Sequence, residues 1–598
     1  MKPKSLNTAT RNQALDRLRA TSAPGAEPLD ILVIGGGVVG ASAAFDAAGR
    51  GLSTGLVEAR DFGEGTSSRS SQLIHGGLRY LQMLDFKLVA EALRERDLLL
   101  RRLAPHLVRP LPFVFPFTTP VMDRAFIGSG VTLYDTLASG SSRLRGYKGR
   151  AVPFHRHLRR SRLRERFPGL DPAKYHGALE YYDAQVDDAR LVLTLARSAH
   201  SQGAAVASRT QVTGYLREED GSRPEAERRV TGVQVRDRVT GEEFEVHAKE
   251  VILAAGVWTG EAQQSAQATS GLRVLASKGI HITVPRDRIA AQGTVGVITQ
   301  TEKSVLFLIP LRDVWSIGTT DTAWHEAVDS PAATASDIDY VLEHANEVLG
   351  ESLTRDDVLA TWAGLRPLVQ PVKTDESASA KVSREHTVMQ LAPGLTGVAG
   401  GKLTTYRVMA EDVVNFAVAS TFRDRASITG VLPLLGGQGY GEWTEQAEDL
   451  ATRYGWDAQR VDRLLNRYGS LLGELVALID DDPELGQPLR HAPSYLRAEI
   501  AYAVSAEGAL HLDDIMARRT RMNYEFRDRG LRAVEEIVTI AAPLLGWSEE
   551  RAAAEQAAYK AHVEAVHQAE RVTDDAVAAR LIAEHPPVPS QESEVPKL

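Results

Sequence analysis

The sequence predicts an α/β protein whose first domain has a Rossmann-type, dinucleotide-binding fold. Two observations carry this prediction. An apolar run, Asp30-Ile-Leu-Val-Ile, leads directly into Gly35, Gly37 and Gly40, and a helix-like run of small residues follows. A second apolar run ends at Glu58. Because buried parallel strands are short and rich in branched apolar residues, the two runs predict parallel strands joined by one helix.

The three glycines and the carboxylate predict how this domain binds a cofactor. The first glycine permits a tight turn, the second lets the backbone approach a pyrophosphate, and the third lets helix and strand pack closely. The diphosphate then rests on the helix N-terminus. Glu58 lies at the distance along the chain expected for a residue that holds a ribose diol, and its charge would repel the 2′-phosphate of NADP.

Two later segments favour FAD over NAD. The strand-like run Glu250 to Trp258 and the run Gly400 to Tyr406, which opens another helix, are both predicted to return to the nucleotide domain. A second helix N-terminus preceded by paired glycines suits the pyrimidine edge of a flavin, where the reduced ring carries negative charge. The sequence has no second Rossmann fingerprint. FAD is therefore the predicted cofactor.

Composition narrows the remaining classes. A chain of 598 residues is expected to form two or more domains. The formal net charge of −9 argues against nucleic-acid binding over the whole surface. The absence of cysteine excludes disulfides, thiolate catalysis, cysteine-ligated metal and thioether-linked flavin, and no metal site is predicted. No apolar run reaches the roughly 18 residues that a membrane-spanning helix needs.

The segment Thr66-Ser-Ser-Arg-Ser-Ser-Gln-Leu-Ile-His75-Gly-Gly-Leu-Arg79-Tyr80 carries a family resemblance. It resembles the flavin and active-site segment of the FAD-dependent (aerobic, respiratory) glycerol-3-phosphate dehydrogenases, which belong to the D-amino-acid-oxidase-like group. The resemblance covers roughly residues 28 to 545 and continues through four further motifs in order: 186–190, 318–321, 364–368 and 401–407.

The resemblance implies a discontinuous domain organisation. Residues 30–110, 181–265 and 381–425 would form the FAD-binding domain, 111–180 and 266–380 an antiparallel-sheet substrate domain, and 426–584 a helical C-terminal domain. The residues themselves agree: strand-like runs with turns fill 270–320, and one helical face carries Leu531, Val534, Ile537, Val538 and Ala541. The extension 1–29 and the tail 585–598 are expected to be disordered or weakly structured.

The resemblance also implies an activity: oxidation of sn-glycerol 3-phosphate to dihydroxyacetone phosphate, with hydride passing to FAD and electrons then to a membrane quinone. Such a site needs a proton acceptor and cations for the phosphate. The predicted base is His75, and the predicted phosphate and substrate contacts are Arg366, Arg79, Lys278, Lys402, Tyr80 and Ser71. The predicted FAD contacts are Gly35, Gly37, Gly40, Glu58, Thr66, Ser67, Ser68, Ser71, Leu73, Ala255, Gly256, Trp258, Asp321, Gly400, Gly401, Lys402, Leu403 and Thr404.

Each of these roles has an alternative. His75 could be a structural histidine, and Arg366 could form only a structural ion pair. Lys402 suits the flavin pyrimidine as well as a phosphate. Asp187 and Asp188 are expected to hold structure rather than to take part in chemistry.

A basic stretch interrupts an otherwise acidic chain. Between residues 143 and 166, Glu165 is the one acidic residue among the basic residues Arg143, Arg145, Lys148, Arg150, Arg156, Arg159, Arg160, Arg162, Arg164 and Arg166. This stretch is either a solvated helix face or a face drawn to anionic phospholipid. The resemblance favours the second interpretation, a cytoplasmic enzyme peripherally associated with the inner face of the cell membrane, and allows a homodimer.

Two other functions are compatible with the same residues. One is an oxidase of the same group, which would produce hydrogen peroxide from glycerol 3-phosphate or act on an amino acid. The other is a non-catalytic, flavin-binding redox sensor, although a sensor would not need cations for a phosphate.

Overall fold

The computed structural model describes residues 5–77, 85–119, 128–138, 149–268, 271–300, 305–370, 386–419, 422 and 424–589. The strands are β1 (Leu29–Ile34), β2 (Thr54–Val57), β3 (Leu73–Ile74), β4 (Arg109–Phe117), β5 (Arg156–Arg159), β6 (Gly177–Gln185), β7 (Ala205–Ala207), β8 (Thr210–Arg217), β9 (Val230–Asp237), β10 (Glu243–Leu253), β11 (Arg273–Pro285), β12 (Gly296–Gln300), β13 (Val305–Pro310), β14 (Val314–Gly318), β15 (Thr322–Ala323), β16 (Ala360–Gln370), β17 (His386–Ala392), β18 (Leu395–Gly400), β19 (Pro488–Leu489) and β20 (Ala492–Leu496).

The first helix precedes the first strand in the chain. They are α1 (Thr8–Arg19), α2 (Val38–Gly49), α3 (Phe86–Leu98), α4 (Arg160–Arg166), α5 (Asp188–Ser201), α6 (Thr259–Ser265), α7 (Ala335–Asn346), α8 (Tyr406–Ala417), α9 (Tyr440–Glu445), α10 (Ala447–Tyr454), α11 (Ala458–Tyr468), α12 (Leu472–Asp481), α13 (Arg497–Ser505), α14 (Met522–Glu525), α15 (Val534–Leu545), α16 (Glu549–Ala569) and α17 (Asp575–Glu584). Residues 128–138 are also helical.

The first sheet has the strand order β17-β18-β10-β1-β2-β7. Strands β18, β10, β1, β2 and β7 are parallel, and β8 and β9 form a hairpin beside β10. Helix α2 packs between α5 and α8 on one face of the parallel strands. A second apolar cluster, which includes Leu15 and Leu18, covers the other face, so the parallel strands are buried on both sides. The Rossmann-type prediction is confirmed, including the return of the segment that contains β10.

The second sheet has the order β15-β11-β14-β13-β12-β4-β6-β3, with β16 paired to β11 and β5 to β6. Its pairs are antiparallel except for β12 and β4. The predicted antiparallel sheet is therefore confirmed. The short strand β3 belongs to this sheet, so the chain passes from the first sheet to the second sheet just before His75.

The C-terminal part is predominantly helical, as predicted, with one small hairpin of β19 and β20. The predicted apolar face of α15 is buried at Val534, Ile537, Val538 and Ala541. Arg518 and Arg519 extend from this part to Asp61, which follows β2. These buried ion pairs connect the helical part to the first sheet.

The N-terminal extension was expected to be disordered or weakly structured, and for residues 8–19 that expectation is wrong. These residues form α1, which buries Leu15 and Leu18 against the outer face of the first sheet. Arg11 pairs with Asp237 at 2.6 Å and donates to the carbonyl of Ser208. The apolar side chains of α1 are few but lie on one face, as in an amphipathic helix. The expectation of disorder rested on the polar composition of the segment and did not consider this periodicity. Residues 590–598 of the tail lie outside the described residues.

Candidate cofactor and active site

A cleft of about 500 Å³ opens where β1, β2, β10 and β18 end. In open α/β sheets, ligands bind at the carboxyl ends of the parallel strands, which is where this cleft lies. It is lined by most of the residues predicted to contact FAD: Gly35, Gly37, Glu58, Thr66, Ser67, Ala255, Gly256, Trp258, Gly400, Gly401, Lys402 and Leu403.

The first glycines leave no room for side chains. Gly35 has a φ of +104°, and a Cβ there would lie 2.6 Å from the carbonyl oxygen of Ala254. A Cβ on Gly40 would lie 1.8 Å from the carbonyl oxygen of Gly35. Gly37 precedes the first turn of α2, and Val38 and Val39 of that turn line the cleft, where the positive end of the helix would stabilise a diphosphate. The Val38 amide donates to Ser67 Oγ at 3.0 Å.

Glu58 is held at the end of β2 by two backbone amides. Its Oε2 accepts from Gly36 at 2.5 Å and its Oε1 from Arg60 at 2.7 Å. Burial raises the pKa of the Glu58 carboxyl, and the two amides oppose that effect. A fixed carboxylate at this edge of the cleft fits a ribose diol, as the sequence predicts.

His75 lies beside the second pair of glycines. Gly400 and Gly401 have φ of +82° and +79°, which favours glycine at both positions. The Thr404 hydroxyl, in the turn that follows, accepts from the His75 amide at 3.0 Å and donates to the His75 carbonyl at 3.1 Å. The backbone of His75 is therefore fixed against the turn that starts at Lys402.

Arg366 lies on β16 with its guanidinium against neighbouring loop groups. Its Nη2 donates to Thr319 Oγ1 at 2.9 Å and to the Thr320 carbonyl at 3.0 Å, and its Nη1 is 3.3 Å from Asp321 Oδ1. A Cβ on Gly279 would lie 2.4 Å from Nη2, so the guanidinium rests where β11 has no side chain. The Arg366 side chain is 32 % exposed, which leaves it accessible to an anion.

Ser71 has a partner that the sequence did not identify as functional. Its hydroxyl is 2.9 Å from Nε2 of His281 on β11. The two-residue alternation of a strand would have placed His281 on the same face as Ser277, which lies opposite Arg366.

The same alternation corrects the predicted role of Lys278. Lys278 follows Ser277, so its side chain points to the other face of β11 from Arg366. Its ammonium donates to Asp337 at 2.6 Å and to Asp575 at 2.5 Å, and the side chain is 1 % exposed. A buried ammonium that is paired with two carboxylates holds α7 and α17 to the sheet and is not placed to bind phosphate.

Other predicted residues fall outside the cleft. Gly40 packs beneath Gly35, Leu73 pairs within the second sheet, and Ser71 and Thr404 bond to His281 and His75. Asp321 accepts from Ser277 and Arg366, and Ser68 is buried beside a second cavity of about 540 Å³. These six residues do not line the cleft itself. Arg79 and Tyr80 lie outside the described residues.

Sequence reasoning also missed a polar group at one wall of the cleft. Asp329 Oδ1 accepts from Arg60 at 2.5 Å and from the Trp258 indole at 2.6 Å. All three residues line the cleft. Asp329 lies in a loop without a recognisable motif, so only the tertiary structure identifies it.

Comparison with known proteins agrees with this arrangement. Residues 30–407 match the model of the FAD dependent oxidoreductase family, and residues 427–552 match the C-terminal domain of alpha-glycerophosphate oxidase. Glycerol-3-phosphate dehydrogenase of Mycobacterium leprae (strain TN) is 47% identical over 563 residues, which are 94% of this chain and 92% of that protein. Glycerol-3-phosphate dehydrogenase 2 of Mycobacterium tuberculosis (strain H37Rv) is 46% identical over 583 residues, 97% of this chain and 95% of that protein.

A solved structure extends the similarity to the whole fold. Glycerol-3-phosphate dehydrogenase from Bacillus halodurans, complexed with FAD, superposes with a TM-score of 0.73 at 27% identity, covering 93% of this chain and 98% of that one. The match spans the first sheet, the second sheet and the helical C-terminal part. The chain belongs to the family of FAD-dependent glycerol-3-phosphate dehydrogenases, and its cofactor is FAD.

Proposed function

We propose that this enzyme oxidises sn-glycerol 3-phosphate to dihydroxyacetone phosphate and passes the electrons to a membrane quinone. One observation supports the first part: the segment that carries Ser71 and His75 contacts both the second glycine turn and the β11–β16 pair that carries Arg366. His75 is fixed to the second glycine turn, Ser71 is bonded to β11, and Arg366 lies on the strand paired with β11.

These groups supply what alcohol oxidation requires from the protein. Bound FAD supplies the hydride acceptor. A neutral imidazole at His75 can accept the hydroxyl proton, because an unperturbed histidine is poised near physiological pH. The Arg366 guanidinium offers paired donors suited to a phosphate dianion. Arg366 also contacts Asp321, so in this proposal the residue forms a structural ion pair and binds the phosphate as well.

The electron acceptor is the second part of the proposal. Enzyme reduced with glycerol 3-phosphate under anaerobic conditions is expected to be reoxidised faster by a soluble quinone analogue than by air-saturated buffer. The measurement is stopped-flow recovery of flavin absorbance, with hydrogen peroxide assayed in parallel. Stoichiometric peroxide together with slow quinone reduction would instead identify an oxidase.

The basic stretch supports attachment to a membrane surface. In its described part, Arg150, Arg156, Arg159, Arg160, Arg162 and Arg164 are exposed. Phe154 is 39 % exposed and stacks under Arg150, with the guanidinium carbon 4.1 Å from the ring centroid. Leu133, in the helical residues 128–138, is also exposed. Asp135 of the same helical residues is hydrogen-bonded to His155, next to Phe154. Cations beside apolar side chains are typical of surfaces that bind anionic lipid. Within the described residues, no helix is long and apolar enough to cross a membrane.

Changing Arg159, Arg160 and Arg162 together to Gln is expected to weaken binding to vesicles that contain anionic phospholipid. Each cation near such a surface contributes about 1 kcal/mol, so a loss of about 10²-fold in partitioning at low salt is expected. Cosedimentation at several salt concentrations measures it, since exposed charges are screened over about 8–10 Å. Arg223, Arg453 and Arg532, which are also exposed, provide a matched triple control. Equal losses in the two triple variants would refute this attachment surface.

A further inference from the structure

The peptide group between His75 and Gly76 is held by hydrogen bonds at both of its polar atoms. The His75 carbonyl accepts from the Thr404 hydroxyl at 3.1 Å. The Gly76 amide donates to the phenol oxygen of Tyr134 at 2.8 Å and to Oδ1 of Asp183 at 3.3 Å. The Thr404 hydroxyl also accepts from the His75 amide, so the backbone of His75 is restrained on both sides. The direction in which the imidazole leaves the backbone is therefore fixed.

Both acceptors of the Gly76 amide are themselves held in place. Tyr134 lies in the helical residues 128–138, and its hydroxyl donates to Oδ1 of Asp183 on β6 at 2.5 Å. Arg96 on α3 donates to the same oxygen at 3.0 Å. Burial and the neighbouring Asp183 raise the pKa of the Tyr134 phenol well above its usual value. The phenol therefore keeps the proton that it donates, and its oxygen remains free to accept from Gly76.

This network lies inside an apolar cluster, where polar groups are costly. Tyr134 is fully buried, and Asp183 and Arg96 are 2 % and 1 % exposed. Leu93 and Phe113 belong to the same cluster as Tyr134. Taking charged groups out of water is unfavourable, and apolar residues of similar volume are often at least as stable in such a place. A fully hydrogen-bonded network does, however, fix one local geometry, and that is the property that the neighbouring base requires.

The geometry at Gly76 ties the network to the His75 ring. A Cβ on Gly76 would lie 2.5 Å from the Tyr134 hydroxyl oxygen, so the phenol approaches the amide where the chain has no side chain. The His75 ring meets Phe307 of the second sheet edge to face, with ring centroids 6.5 Å apart. Rotation of the peptide would turn the imidazole away from this position. A displacement of about 1 Å in a reacting group can cost about 10²-fold in rate.

We propose that Tyr134 and Asp183 are positioning residues, which act through the Gly76 amide to hold the His75 imidazole in line with the hydroxyl proton of the substrate. The inference rests on the proposed function, in which His75 accepts that proton. Arg96 in turn holds Asp183. Neither Tyr134 nor Asp183 lines the cofactor cleft, so the network acts on the base rather than on FAD.

The test measures anaerobic flavin reduction by glycerol 3-phosphate in Tyr134→Phe, in Asp183→Asn and in each of these combined with His75→Gln. Phenylalanine keeps the ring and leaves the Gly76 amide with the longer bond to Asp183 alone. Asparagine weakens the acceptor that Tyr134 and Gly76 share, because a neutral oxygen accepts less strongly than a carboxylate. Tyr181→Phe is the matched control: Tyr181 is buried in the same cluster, with its ring centroid 6.2 Å from that of Tyr134, and the Gly76 amide does not bond to it.

Tyr134→Phe and Asp183→Asn are each expected to lower the limiting rate of flavin reduction about 10-fold, because the base is displaced. The dissociation constant for glycerol 3-phosphate, obtained from the concentration dependence of the rate, should change less than about 3-fold, and FAD content should stay normal. Tyr181→Phe should reduce at the wild-type rate. In the His75→Gln background the two substitutions should have no further effect, because they act through the His75 side chain.

A wild-type rate of flavin reduction in both Tyr134→Phe and Asp183→Asn would overturn the inference, whatever their melting temperatures, since the network would then serve stability alone. Equal losses with and without His75→Gln would also overturn it. If Tyr134→Phe does not fold, Asp183→Asn and its combination with His75→Gln decide the question. The proposed function fails separately, if glycerol 3-phosphate does not reduce the wild-type flavin.

Discussion

His75→Gln is expected to slow the anaerobic reduction of the flavin by glycerol 3-phosphate about 10²–10⁴-fold, the usual loss when a general base is removed. Glutamine cannot accept the hydroxyl proton at neutral pH. The backbone bonds between His75 and Thr404 do not depend on the side chain, so the local structure should persist. Stopped-flow absorbance at the flavin band, across pH, measures the rate.

Three controls separate proton transfer from general damage. FAD content should remain normal, because the cleft is formed by the glycine turns and Glu58 rather than by His75. Reoxidation of prereduced enzyme by a quinone analogue should be little affected. His491→Gln, at an exposed position in the C-terminal hairpin, should behave as wild type. If His75→Gln reduces at the wild-type rate with the same pH dependence, the base is another group and His75 is structural.

Arg366→Ala is expected to lower kcat/KM for glycerol 3-phosphate about 10- to 100-fold with normal FAD content. A hydrogen bond from a charged donor contributes about 1.5–3 kcal/mol. The substitution also leaves Asp321 without the cation 3.3 Å away, so its carboxylate would repel a phosphate. Adding Asp321→Asn to Arg366→Ala should therefore recover part of the loss.

Steady-state kinetics with a matched variant decide the role of Arg366. Arg355→Ala removes another exposed arginine, which lies in the turn before β16 and pairs with Asp339, and should leave kcat/KM unchanged. Arg366→Lys keeps the charge but loses the paired donors, so an intermediate value is expected. Wild-type kcat/KM in Arg366→Ala would show that this arginine serves only the ion pair with Asp321.

The parts of the fold that follow from local pattern were predictable. The strand–glycine–helix unit at Gly35 to Gly40 and the carboxylate at Glu58 are set by residues close in sequence, and the structure places them as expected. The apolar face of α15 was predictable for the same reason, since its period is local. Helix α1 was missed because its short apolar face lies within a polar segment.

The candidate site depends on contacts between distant segments, which one sequence does not reveal. Lys278 and His281 are three residues apart on one strand, yet one is buried against Asp337 and Asp575 and the other bonds to Ser71. The two-residue alternation of a strand puts the two side chains on opposite faces, but only the register with β16 shows which face carries Arg366. Similarly, Asp329 contacts Trp258 across 71 residues of chain, and no local motif identifies it.

The most direct test of the account is an anaerobic titration of the FAD-loaded enzyme with glycerol 3-phosphate, followed by the flavin absorbance. We expect the oxidised flavin band to be bleached and an equivalent amount of dihydroxyacetone phosphate to be formed, while glycerol without phosphate has no effect at the same concentration. A flavin that stays oxidised with glycerol 3-phosphate, or that is bleached equally by an amino acid, would contradict the proposed function.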